Sequence, residues 1–312
     1  MSVAAVVIGR NEGARLKRCL ASLKAFSPVI YVDSGSTDGS VEAARATGAD
    51  VVTLDAAFPF TAARARNAGL ARLSRIAPDT PFVQMIDGDC EMREGWIETA
   101  RSALEKDEGL AGVAGRRRER HPEASLWNAL TDAEWDTPVG PATAVGGDAV
   151  FRRTALAEVG GYPDDMIAGE EPEMCYRMRQ AGWRLARIDA EMTLHDAAMT
   201  RFGQWWQRNR RAGHAFAESA ARHPGFRRTE TLRALVWGAF LPLITLLGVL
   251  ATPWALLLVL AYPLQCMRLY ARRIPWARAV FLTIGKFPEA QGVLSYWWGR
   301  VRGQRQALIE YK

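Results

Sequence analysis

The chain has 312 residues, 49% of them hydrophobic and 24% charged, and carries a net charge of +6 from 40 basic and 34 acidic side chains. These values are ordinary for a globular protein and allow one large or two medium domains. The four cysteines (Cys19, Cys90, Cys175, Cys266) are scattered without C-x-x-C spacing, which argues against a disulfide framework and against a zinc site of that pattern.

Residues 3–8 read V-A-A-V-V-I, the content of a buried strand. No basic segment followed by an apolar one precedes them, so a secretory signal is not expected and the catalytic part is expected in the cytosol. Gly9 to Gly13 form a turn, after which Leu16, Leu20 and Leu23 recur at helical spacing. Residues 29–32 predict a second strand, 41–47 a helix, 50–54 a strand, 62–76 a helix and 82–86 another strand. This β-α-β-α-β order implies parallel strands with right-handed crossovers. No G-x-G-x-x-G is present, so a nicotinamide-binding fold is not supported.

The stretch at residues 82–89, F-V-Q-M-I-D-G-D, organises this half. Asp87 and Asp89 end an apolar strand, where ligands bind in an open α/β sheet. Two carboxylates on a turn freed by Gly88 can both reach one hard cation such as Mg²⁺ or Mn²⁺. An acid-rich helix start explains the same residues, because Glu91 and Glu94 follow and residues 96–104 look helical. An EF-hand loop fails, because Met92 stands where glycine is needed and a strand precedes the acids. Asp33 occupies a similar strand end, beside a Gly/Ser turn whose amides can meet an anion or a base edge.

Beyond residue 104 the pattern turns irregular. Arg116-Arg117-Arg118 reads as solvated surface, and residues 137–147, with Trp127 and Trp135, as a lip over a cleft. Regular structure resumes at residues 148–152 and 155–159. Glu170, Glu171, Pro172 and Glu173 then start a helix over 174–180, chemistry that suits an N-terminus. A strand over 184–188 follows, then His195-Asp196; a lone histidine is more often structural, and His195 matters only if the fold returns it to Asp89.

Together these segments resemble glycosyltransferase family 2, inverting enzymes with a GT-A fold. Asp33-Ser34-Gly35-Ser36-Thr37-Asp38-Gly39 is similar to that family's D-x-S-x-D-G turn and Ala65-Arg66-Asn67-Ala68-Gly69 to its A-R-N-x-G helix. Asp87-Gly88-Asp89 resembles its D-x-D, Gly160-Gly161-Tyr162 its G-G-[FY] segment, and Glu170-Glu171 with Arg177 and Gly182-Trp183 its E-D-x-x-x-x-x-R-x-x-x-x-G signature. The match covers roughly residues 1–200, and Glu171 stands where the family usually has aspartate. The resemblance implies an α/β GT-A domain with a mostly parallel central sheet. It implies donor contacts at Ile8, Asn11, Glu12, Asp33, Arg66, Asn67 and Asp87. It further implies a divalent Mn²⁺ or Mg²⁺ at Asp89, with Asp87 and His195, and a catalytic base at Glu171 or Glu170. The partners implied are a nucleotide-sugar, UDP-linked, and a hydroxyl acceptor.

Residues 234–267 contain no charged residue over 34 positions. As one helix they would run about 50 Å, too long for one straight span of a bilayer core and short for two complete ones. Pro242, Thr252-Pro253 and Pro263 punctuate the stretch, and arginines flank both ends. The expectation is a hairpin turning near Thr252-Pro253 that dips into or barely crosses a membrane, with its basic flanks on the cytoplasmic face. Residues 202–221, with Trp205, Trp206, Arg208, Arg210 and Arg211, suit an interfacial helix. So do residues 284–312, with Trp297, Trp298, Arg300, Arg302 and Arg305. Residues 201–312 therefore read as a helical membrane-associated module, and the basic clusters at 208–233 and 268–278 as membrane-directed rather than nucleic-acid-binding. A lipid-linked acceptor in surface polysaccharide or glycolipid assembly fits this placement. Two rivals are a metal-dependent nucleotidyltransferase, whose glycine- and lysine-rich phosphate loop is missing at residues 9–12, and a non-catalytic binder of anionic surfaces or polymers.

Overall fold

The computed structural model describes residues 2–303 and divides into two compact units, Met1–Thr200 and Arg201–Lys312. The first unit begins β1 (Val3–Gly9), α1 (Ala14–Ala21), β2 (Val29–Asp33), α2 (Ser40–Ala46), β3 (Asp50–Thr53), α3 (Ala62–Ile76) and β4 (Phe82–Asp87). It continues with β5 (Cys90–Met92), α4 (Trp96–Lys106), β6 (Leu110–Glu119), α5 (Leu126–Trp135), β7 (Gly140–Ala142), β8 (Val150–Arg152), α6 (Arg153–Glu158), α7 (Glu170–Gln180) and β9 (Arg184–His195).

The strands form one mixed sheet in the order β3-β2-β1-β4-β8-β6-β9-β5, with β7 paired to β9. From β3 to β4 every pairing is parallel, which is the expected half-sheet. Beyond β4 it is mixed: β8 runs antiparallel to both β4 and β6, while β6 and β9 run parallel. The core follows from the apolar runs. Phe82, Val83, Met85 and Ile86 are at most 2% exposed, and each such burial stabilises by about 1.5–3 kcal/mol. The one polar residue inside that run, Gln84, is fully buried and accepts the indole N–H of Trp96 at 2.7 Å, so its amide oxygen is satisfied.

The register sets the functional edge. Gly9 of β1 lies opposite Asp33 of β2, and Ile8 opposite Asp87 of β4. Three neighbouring parallel strands thus end together, with Asp33 and Asp87 flanking the turn after β1. On the far side, His195 of β9 lies opposite Cys90 of β5 and opposite Glu119 of β6. The strand expected over 184–188 therefore runs on to His195, and that extension carries the histidine to the D-x-D turn.

The second unit is helical: α8 (Phe202–Arg222), α9 (Arg228–Leu235), α10 (Leu241–Ala251), α11 (Ala261–Ala271), α12 (Trp276–Ile284) and α13 (Lys286–Val301). Helices α8 and α13 pack backbone to backbone: a Cβ on Gly213 would fall 1.9 Å from the Glu289 carbonyl oxygen. Pro242 lacks the N–H that would bond the Gly238 carbonyl, and the turn before it, Val236–Phe240, widens to π geometry. Extended backbone at Thr252 (φ −156°, ψ 134°) ends α10, and Pro253 starts the return arm, the turn the sequence predicts. The arms are the helical stretches Arg228–Ala251 and Pro253–Ala271, 24 and 19 residues. Each spans roughly 30 Å or more, so both are long and apolar enough to cross a membrane by length and composition. The Tyr262 hydroxyl donates to the Trp237 carbonyl at 2.8 Å and ties the arms. Arg305 lies outside the described residues.

Candidate active site

The turn after β1 and the loop after β2 are stitched into one surface. Asn11 donates its backbone N–H to Ser36 Oγ at 2.9 Å and accepts the Thr37 N–H on its side chain at 2.8 Å. Asp38 accepts the Gly13 N–H at 2.9 Å. Asp33 is 1% exposed; its carboxylate accepts the Tyr31 hydroxyl at 3.0 Å and the N–H groups of Gly35 and Ser36. It shapes this loop from beneath. The Ile8 carbonyl accepts the Gly88 N–H at 2.8 Å, fixing the D-x-D turn to β1, and Glu12 pairs with Arg15 at 2.9 Å.

Arg66, on α3, is the hub of the next layer. Thr61 caps that helix by accepting the Arg64 N–H, and the helix aims Arg66 into the interior, 2% exposed. Its guanidinium contacts Glu170 at 2.8 Å, Asp87 at 2.9 Å and Glu171 at 3.1 Å. Gly147 leaves the room for this: a Cβ there would sit 2.4 Å from Arg66 Nη2, 3.1 Å from Glu171 Oε1 and 3.3 Å from Asp87 Oδ2. The two glutamates differ. The Glu170 side chain is 5% exposed, whereas that of Glu171 is 19% exposed. Burial, the charge of Glu170 and that of Asp87 push the Glu171 carboxyl up to about 7 against the pull of Arg66. Glu173 instead bonds Arg177 one turn along α7, a structural pair. Asn67 faces away from this network: its amide donates to the Tyr162 carbonyl and to Asp164, both at 2.7 Å, and accepts the Tyr162 N–H at 2.9 Å. It clamps the Gly160-Gly161-Tyr162 segment.

Asp89 and His195 meet. Asp89 Oδ2 lies 3.3 Å from His195 Nε2, and the two residues are 4% and 5% exposed. Glu119 backs the other ring nitrogen at 3.7 Å and is itself fixed by the N–H groups of Ala197 and His121. Burial, although it opposes the charge, is outweighed at Glu119 by His195 and those N–H groups, which hold its carboxyl below the usual range. Burial and the charge of Arg117 lower the His195 pKa, so the imidazole is neutral near pH 7. A buried carboxylate beside a neutral imidazole, with a second carboxylate 3.7 Å behind the ring, fits a divalent ion. Asp87 has different company: Arg66 on one side and Arg117, at 3.6 Å, on the other.

Arg116 and Arg117 correct the expectation of a solvated run. Arg116 is 6% exposed and pairs with Asp132 at 2.8 Å. Arg117 lies 3.4 Å from Asp148, 3.5 Å from Cys90 Sγ and 4.6 Å from the Trp135 ring centroid. Only Arg118, 49% exposed and paired with Glu191, behaves as surface. Asp148, fully buried, accepts the Thr193 hydroxyl at 2.8 Å and the Asp87 N–H at 3.3 Å. Trp135 stands edge-on to His195 at 4.7 Å. Glu119, Arg117 and Asp148 are site residues that no motif marked. Had β6 been read through the arginine run, its period of two would have put Arg117 and Glu119 on one face, opposite Thr193 and His195 of β9.

A family model for glycosyl transferase family 2 matches residues 4–160, half of the chain. The chain belongs to that family. A second model, glycosyl transferase family group 2, matches residues 124–280. Among curated relatives of this family 2 protein, a pre-mycofactocin glycosyltransferase of Mycobacterium tuberculosis is 32% identical over 235 residues, covering 71% of this chain and 48% of the relative. The chain thus spans about half the length of that relative. Glycosyltransferase AglE of Haloferax volcanii is 23% identical, covering 68% of this chain and 71% of its own. A solved mannosyltransferase from Pyrobaculum calidifontis, in complex with GDP-Man and Mn²⁺, superposes with a TM-score of 0.63 at 19% identity, covering 96% of this chain and 87% of its own. At that identity the likeness is one of fold: a GT-A-like domain with a helical C-terminal region.

Proposed function

We propose that this family 2 member is an inverting glycosyltransferase that moves a sugar from a nucleotide-sugar to a hydroxyl acceptor. The observation that carries the reading is the Glu171–Arg66–Asp87 chain of ion pairs, which joins a candidate base to the D-x-D turn whose Asp89 faces His195. Glu171 is the better base, because it combines partial exposure with a carboxyl titrating near neutrality. Glu170 is buried against Arg66 and serves as its anchor.

Each residue then has a task. The loops around Asn11 and Asp33 receive the nucleoside. Asp89 and His195 would hold the divalent ion, which supplies positive charge against the departing diphosphate. Arg66 and Arg117 place fixed cations on either side of Asp87. Glu171 accepts the proton of the attacking hydroxyl, and one in-line displacement inverts the anomeric carbon. No protein nucleophile is required.

The acceptor we propose is lipid-linked, at the cytoplasmic face of the cell membrane, in surface polysaccharide or glycolipid assembly. Support comes from the apolar arms, whose Leu246, Leu250 and Trp254 are 68%, 84% and 75% exposed, and from the arginines that flank them. Full-length protein that stays soluble after cell lysis without detergent would overturn the membrane placement. The site itself is tested by binding and hydrolysis of a panel of UDP-, GDP- and dTDP-sugars with Mn²⁺, Mg²⁺ or chelator. One donor should bind in a metal-dependent way, with binding lost in Asp89→Ala and kept in Glu171→Gln. If no donor binds under any metal, the enzymatic reading fails.

A further inference from the structure

Cys90 stands in the metal site, yet its spacing in the sequence marks no metal motif. We propose that Cys90 is a third protein donor to the divalent ion, and that the site favours borderline transition cations such as Zn²⁺ and Co²⁺ over Mg²⁺. This rests on the assignment of a metal to Asp89 and His195.

The register brings the donors together. Cys90 of β5 lies directly opposite His195 of β9, which lies opposite Glu119 of β6, so the three form one row across neighbouring strands. Asp89 immediately precedes Cys90. Cys90 Sγ is 3.6 Å from Asp89 Oδ1, Asp89 Oδ2 is 3.3 Å from His195 Nε2, and one ligand atom from each of the three residues lies within 4.8 Å of the others. All three residues are at least 95% buried. Donors around a tetrahedral zinc sit roughly 3.3–3.7 Å apart, so the set, now within 4.8 Å, closes on an ion by a contraction of up to about 1 Å. It also leaves the fourth position for a diphosphate oxygen. The thiol proton passes to solvent as sulfur binds the ion, and Arg117 Nη2, 3.5 Å from Sγ, faces the charge that results.

A second cluster, Asp87–Cys90–Asp148, has equally close donor atoms. Arg117 already spans it, 3.6 Å from Asp87 and 3.4 Å from Asp148, so that side has a built-in cation. The Asp89–His195 side is the one suited to a metal. Its mixed oxygen, nitrogen and sulfur donors follow the preference of Zn²⁺ and Co²⁺, whereas Mg²⁺ takes oxygen ligands in octahedral geometry.

Chelator-stripped full-length protein would be titrated with Co²⁺ and followed by absorption, with Mn²⁺ binding followed by electron paramagnetic resonance. The wild type should show a sulfur-to-cobalt charge-transfer band that Cys90→Ser lacks. The variant should bind Zn²⁺ at least about ten-fold more weakly and bind Mg²⁺ as the wild type does. Zinc X-ray absorption on the wild type alone should give a sulfur shell at about 2.3 Å, which keeps the test decisive even if Cys90→Ser does not fold. Among the described residues no other cysteine joins such a cluster, so a zinc–sulfur shell reports Cys90. Bound Co²⁺ without the band, or zinc with only nitrogen and oxygen neighbours, overturns the inference and leaves the Asp89–His195 metal standing. Failure of the wild type to bind Mn²⁺, Co²⁺ or Zn²⁺ overturns both.

Discussion

Asp87 and Asp89 are separated by one glycine but face opposite surroundings. The Asp87 side of the turn is lined with permanent cations, Arg66 at 2.9 Å and Arg117 at 3.6 Å. The Asp89 side meets a neutral imidazole and a thiol, and Arg117 reaches that thiol at 3.5 Å. The difference teaches that two like residues in one motif need not share one ligand. Asp87 is held between two guanidinium groups, and Asp89 is the carboxylate to which the proposed function gives the ion.

Four measurements would break or sharpen that contrast. The largest effect is expected at the far end of the Arg66 network: Glu171→Gln should lower kcat by about 10²–10⁴-fold with donor and metal binding retained. A variant as active as wild type would pass the role of base to Glu170. On the Asp89 side, Asp89→Asn should cost about 10²–10³-fold in turnover, and chelator should inactivate the wild type. Asp87→Asn should leave metal affinity closer to normal, and equal loss of metal by both variants would erase the distinction. Behind the imidazole, Glu119→Gln should weaken metal affinity by about 10–100-fold while Arg118→Gln leaves it unchanged. Metal titration would show whether the orienting carboxylate matters.

The smallest effect is on pH dependence. With a Glu171 carboxyl titrating near 7, kcat/KM should rise with pH and level off above neutrality. The same shift has a cost in the metal-free protein. The folded chain holds a proton that the unfolded chain releases above the ordinary glutamate value of 4.5, so stability falls as pH rises through the window up to about 7. Urea midpoints taken across that window should fall less in Glu171→Gln than in wild type.

Much of this was legible in the sequence. The half-sheet from β3 to β4 follows from apolar runs that end in turns, because a buried parallel strand needs little else to be recognised. The two carboxylates at its edge and the turn at Thr252-Pro253 were legible for similar reasons, whereas Arg66 was marked by the family resemblance alone. What stayed hidden depends on distant strands coming into register. The arginines at 116–118 read as surface because charged runs usually are, and only the pairing of β6 with β9 turns Arg117 inward and sets Glu119 against His195. Asn67 shows the converse. Its motif pointed to the donor pocket, but its amide is engaged by Tyr162 and Asp164.

Gly147 has no polar side chain and takes no proton, yet Arg66, Glu171 and Asp87 meet over the space it leaves. In a saturation-mutagenesis survey it should score among the least tolerant positions of the first unit, beside residues that do the chemistry. Glycine codons reach alanine, serine or valine by single-base changes, so such losses would arise readily. An inactive natural allele could therefore carry an intact set of recognisable motifs.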